Sequence, residues 1–185
     1  MFDVSLLDEF YDGTSSGEEK FDWTHLKFPD GKMFPSDYRA LVDRFGCFVV
    51  DDHIIVSDPE PILKNMRIND PHHRAMEPNH VGIFNGKGEH GYYVDAEEVI
   101  KISDLIQWGD EDSDFALFWN AVGDPDHWNV VVTDYYEFWA YRMGVAEFIY
   151  SLFDGSVQCE AFEQNGWPHE NMKLVPIDVW GSPYP

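Results

Sequence analysis

A chain of 185 residues, 44% hydrophobic and 16% aromatic, carries enough apolar mass for one domain with a sizeable core, which excludes a disordered polyelectrolyte. Its 35 Asp+Glu against 12 Lys+Arg, formally −23 at pH 7, argue against direct binding of DNA or RNA, a contact made mainly by cations at phosphates. Such charge suits a basic protein partner, or solubility alone.

The charge is also uneven. From Ile102 to Tyr141 there is no Lys or Arg, and beyond Lys101 only Arg142 and Lys173 remain. Two cysteines, Cys47 and Cys159, make neither a disulfide framework nor a zinc set, and read as reduced, buried thiols of a cytoplasmic protein. The opening MFDVSLLDEF has acids where a signal peptide needs bases, and no apolar run approaches a membrane span. The chain is therefore expected in the cytoplasm, with no membrane partner.

No internal repeat is present. DGTSSGEEK, Asp12 to Lys20, is small and polar and reads as an exposed loop. FPSDYRALVDRFG places Tyr38, Leu41, Val42 and Phe45 on one helical stripe. This predicts a helix over Pro35–Phe45 with Pro in the first turn, Ser36 or Asp37 as cap and Gly46 as stop. CFVV and HIIV flank Asp51-Asp52, the pattern of a hairpin or two closely spaced strands. PEPILKNMRI suggests a short helix, NDPHHRAMEPNH an irregular stretch, and GIFNGKGEHGYYV two short strands around a Gly-rich turn. DAEEVIKISDLI suggests another short helix, and QWGDEDSD a loop feeding a strand.

Phe115–Asn120 and Trp128–Thr133 are the clearest strands, with bulky apolar residues on both alternating faces, so both are expected to be central and covered on each side. AVGDPDH between them has turn chemistry, and YYEFWAY can add a third strand. In GVAEFIYSLFDG, Val145, Phe148, Ile149 and Leu152 return to helical spacing, and Gly155 fits the position after the helix end. Strands grouped between helices indicate one α+β domain with a mostly antiparallel central sheet flanked by helices.

The series LIQWGDEDSDFALFW, GDPDHWNVVV, the Trp139 segment and GVAEFIYSLFDG resembles the C-terminal half of the SUKH superfamily. FPSDYRALVDRFG resembles that family's opening of Pro, then Tyr, then a helix ending in Gly. The resemblance spans roughly Phe34 to Gly155, with one departure: Ser113 precedes Asp114 where many relatives place Gly. It implies residues 1–33 as an N-terminal extension packed on or beside the domain, and 34–185 as a SUKH-like α+β domain with a C-terminal tail. Most bacterial members are immunity proteins that neutralise toxins, often nucleases, delivered between competing cells. The resemblance therefore implies a cytoplasmic immunity protein for a cognate, basic toxin, with a general protein-interaction or regulatory module of the same fold as the alternative.

The expected partner-binding residues are Trp108, Asp110, Glu111, Asp112, Asp114, Asp124 and Asp126, with Trp108 readable either as an aromatic anchor beside the charges or as a core residue. Asp110, Asp112 and Asp114 have the spacing that begins a calcium loop, but Phe115 stands where that loop needs Gly and Ala121 where it needs Glu. His72, His73, His80 and His90 show no repeated ligand spacing and read as loop histidines. Cys47, Asp51 and His53 are the right types for a nucleophile, orienter and base, but proximity in sequence does not make a spatial triad. No G-x-S-x-G, P-loop or H-E-x-x-H occurs. The reading is a non-enzyme with no metal and no cofactor.

Overall fold

In the computed structural model, residues 2–13, 21–64, 81–82, 99–100, 102–111, 115–134, 138–163 and 171–178 are described. The chain opens with a 3₁₀ segment, Val4–Phe10, whose start is capped by Asp3 accepting from the Ser5 N–H at 3.0 Å. Leu7 on it is fully buried. Helix α1 spans Ser36–Phe45 and buries Tyr38, Leu41, Val42 and Phe45, the stripe its spacing predicts. Gly46 ends it at φ 76°, a backbone state cheap only for glycine, and returns its N–H to the Val42 carbonyl at 2.7 Å.

Strands β1 (Phe48–Val50) and β2 (Ile54–Val56) pair as the expected hairpin. Its turn holds Asp51 and Asp52 at φ 49° and 62°, and His53 donates its N–H to the Val50 carbonyl at 3.0 Å. Aspartate tolerates this left-handed region better than most residues, and successive positive φ values match the twist of a tight hairpin. Helix α2 (Pro59–Lys64) follows, then a separate antiparallel pair, β3 (Val81–Gly82) with β4 (Val99–Ile100). Strands β5 (Leu105–Glu111), β6 (Ala116–Asn120), β7 (Asn129–Thr133) and β8 (Phe138–Tyr141) form a meander. Helices α3 (Val145–Phe153) and α4 (Glu160–Glu163) precede β9 (Leu174–Pro176).

The main sheet has the order β8-β7-β6-β5-β2-β1-β9, with every neighbouring pair antiparallel. This is the α+β class read from the sequence. One face packs against α1 and α3 in a single cluster that includes Phe48, Val50, Val56, Trp108, Leu117, Trp119, Val130 and Val132. Tyr38 meets Trp119 edge-on, with centroids 5.0 Å apart, a favoured aromatic geometry. On the opposite face Val49, Ala116, Phe118 and Val131 are also fully buried, so the central strands are covered on both sides.

Four findings extend or depart from the sequence reading. Gln107 to Glu111 is strand, not loop, because β5 is clamped between β2 and β6 and its pairing overrides the weak strand propensity of Gly and acidic residues. In the segment read as a helix from Asp95, residues 99–100 are strand and 102–104 a 3₁₀ turn. The C-terminal segment is not merely a tail, since β9 adds to the sheet beside β1. Leu7, Trp23 and Phe28 of the first 33 residues belong to the same core. No described helix is long and apolar enough to cross a membrane.

Candidate functional site

The register decides which acidic residues can act together. Asp110 stands opposite Ile55 on β2 and Ala116 on β6, while Glu111 stands opposite Ile54. The Asp51–Asp52 turn immediately precedes Ile54, so it lies at the same end of the sheet as Glu111. Thr133, the last residue of β7, pairs with Ala116, which places Asp134 at that end too. Three strand ends thus converge with Asp51, Asp52, Asp110, Glu111 and Asp134 among them. The connection from Glu111 to Phe115 carries Asp112 and Asp114, which lie outside the described residues.

Within this group Asp110 is exposed and accepts a hydrogen bond from the Gln107 side-chain amide. Partial desolvation holds its carboxyl above the usual aspartate range. Asp52 is exposed; Asp51 is buried and ties its N–H to the Lys173 carbonyl at 2.7 Å. The Lys173 ammonium pairs instead with Asp12, at 2.8 Å. Sequence reading missed Asp51 and Asp52 because β2 joins β5 across a long stretch of chain, and Asp134 because its place follows from the β6–β7 register. The hairpin itself was legible; its neighbour was not.

Trp108 takes the core reading and not the anchor one: it is fully buried and packs against Trp119 with ring centroids 6.3 Å apart. Gln107 pairs with Phe118 and Gly109 with Leu117, leaving Trp108 as the extra residue of a β-bulge. A bulge re-aims a side chain, and this one turns the indole into the core. Gly109 then passes so close to β2 that a Cβ there would lie 2.8 Å from the Ile55 carbonyl oxygen. The Trp-Gly pair is thereby a packing device.

Asp124 and Asp126 lie apart from the Asp110 group. They lie on the β6–β7 connection, beyond Asn120, at the opposite end of the sheet from Asp110. Five residues of β5 separate the two ends, roughly 17 Å at 3.3–3.4 Å per residue. Asp124 caps the 3₁₀ turn Pro125–His127, accepting from the Asp126 N–H at 3.1 Å. Asp126 accepts from the Ser36 N–H at 2.6 Å, at the start of α1. Both carboxylates are exposed and each accepts a backbone N–H, so they form a group separate from that of Asp110.

The imagined nucleophile has no support. Burial first, with the Asp58 charge adding, pushes the Cys47 thiol up to about 12, and its sulfur lies 2.8 Å from the Val56 carbonyl oxygen. A thiol held in that state is not a nucleophile at neutral pH. No group of three or more potential metal ligands occurs among the described residues. His72, His73, His80 and His90 lie outside them. No protein-family model, curated protein or solved structure matches the chain.

Proposed function

We propose that this chain is a cytoplasmic immunity protein of SUKH type, which binds and neutralises a basic toxin domain through the acidic end of its sheet. The resemblance supplies the class of partner. The observation carrying the location is the β2–β5 register, which gathers Asp51, Asp52, Asp110 and Glu111 at one end and leaves Asp124 and Asp126 at the other.

The chemistry is competition for cations. A nuclease presents Lys and Arg where phosphates bind, and carboxylates on rigid strand ends compete for those groups without an ordering cost at the moment of contact. Opposite charge accelerates encounter, to as much as about 10⁸–10⁹ M⁻¹s⁻¹ at low salt. Close charge pairs in an unrelated nuclease–inhibitor complex couple by about 1.5–7 kcal/mol. The test is binding of the toxin domain encoded in an adjacent reading frame, with wild-type protein and variants neutralised at either end of the sheet. Weakening by changes at the Asp110 end alone supports the proposal; weakening by changes at the Asp124 end alone overturns it.

A further inference from the structure

Beside the Asp51–Asp52 turn the surface is hollowed. A groove of about 380 Å³ lies between the end of the 3₁₀ segment, the end of α3 and the residues entering β9, with Glu9, Phe10, Asp12, Phe153 and Lys173 among its walls. Its place follows from pairing: Leu174 stands opposite Val50, and the Lys173 carbonyl accepts the Asp51 N–H at 2.7 Å. The floor is aromatic, since Phe10 stacks on Phe153 with centroids 4.4 Å apart and 24° between the rings. The rim is ionic. Glu9 and Asp12 are exposed, and the Lys173 ammonium lies 2.8 Å from the Asp12 carboxylate with both side chains more than half exposed. An ion pair held in water is weak and readily exchanged, because water and salt satisfy each charge when the contact opens.

The same segment shows what completes such a site. Arg44 of α1 sets its guanidinium against the Asp8 carboxylate, with Nε 2.6 Å from Oδ1 and a second N–H on Oδ2, and its Cζ lies 5.9 Å from the centre of the Phe45 ring. A carboxylate beside an aromatic face is thus already satisfied here by a planar cation from another element. The groove repeats those two surfaces, with Glu9 and Asp12 beside Phe10 and Phe153. The cation it holds is a lysine, which neither forks a carboxylate nor lies flat on a ring.

We propose that this groove is a receptor for one arginine side chain, whose guanidinium stacks over Phe10 and Phe153 and takes the Glu9 and Asp12 carboxylates from Lys173. That a basic protein partner brings the arginine rests on the function proposed above; the preference for a guanidinium rests on the walls of the groove. Charge favours the exchange. Glu9, Asp12, Asp51 and Asp52 gather around the entry to β9, so an incoming cation meets a negative field even with Lys173 in place.

NMR titration of the protein with N-acetyl-arginine amide and with N-acetyl-lysine amide tests this without any toxin. Saturable shifts of the Phe10, Tyr11 and Asp12 amides with the arginine probe, and weaker binding of the lysine probe, are expected. Changing Glu9→Gln and Asp12→Asn together should weaken the arginine probe about fivefold, the worth of two exposed charge contacts. Lys173→Ala should tighten it. Lys32→Ala, which removes the same charge from a pair with Asp30 elsewhere on the surface, should follow wild type. No saturable shift at the three amides, equal binding of the two probes, or equal affinities of the Lys173→Ala and Lys32→Ala variants would overturn the proposal. A groove that binds arginine while no toxin binds the protein would overturn the proposed function and leave the groove standing.

Discussion

Glu111 stands opposite Ile54 across the β2–β5 pairing, so the Asp51–Asp52 turn and the acidic end of β5 share one end of the sheet. These residues are far apart in sequence, and a one-residue slip in register would send Asp110 to the opposite face. The bulge at Trp108 fixes the register, because its buried indole cannot move without opening the core. The buried indole and the acidic end therefore share one strand, and the position of the first sets that of the second.

Gly144→Ala should destabilise the protein by about 1 kcal/mol, the usual worth of a helix cap, because the new methyl displaces the Asp37 carboxylate from Ala146. The Gly144 φ of −77° is open to alanine, so backbone strain does not contribute. Thermal melting checks this, and an unchanged midpoint would mean that Asp37 can cap α3 from another position.

Trp108→Ala should cost about 3–5 kcal/mol, the range for emptying a large aromatic site in a core. Partner affinity should then fall only in proportion to the unfolded fraction. A folded Trp108→Ala protein with selectively weakened binding would restore the tryptophan as an anchor.

The sequence was most informative where period and punctuation agree. The α1 stripe ends at Gly46, the α3 stripe is followed by Gly155 at φ 74°, and the strands β6 and β7 flank a Gly-Asp-Pro turn. It was least informative where tertiary pairing overrides local preference. Gly109, Asp110 and Glu111 are poor strand formers, and only their neighbours on β2 and β6 make them strand. Leu174–Pro176 is too short to announce itself without β1 beside it. In the candidate site, residue types were legible but sorting was not. Asp126 and Asp110 look alike in sequence, and the structure makes one a helix cap and the other an exposed strand end.

Both thiols should resist alkylation in the folded protein at neutral pH. Cys159 is buried, and Cys47 is half-buried with a thiol held far from ionisation. Timed labelling with a thiol reagent should show slow reaction in buffer and two fast groups in denaturant. Rapid reaction of Cys47 in the native protein would contradict its placement.

Binding of the proposed toxin partner should respond to salt chiefly through the association rate. Exposed charges are screened beyond about 8 Å at physiological ionic strength, so added salt removes steering before it disturbs close pairs. Stopped-flow association across a salt series checks this. A rate indifferent to salt would point to an apolar contact surface.

The most direct test neutralises the acidic end itself. Asp110 is a partly desolvated carboxylate, and no Lys or Arg occurs between Lys101 and Arg142 to balance it and its acidic neighbours locally. The triple change Asp110→Asn, Glu111→Gln and Asp112→Asn should therefore leave the melting temperature unchanged or slightly raised. On the same preparation, affinity for the proposed basic toxin partner should fall at least tenfold, about 1.4 kcal/mol. A triple variant that stays folded and binds that partner as tightly as wild type would contradict the account.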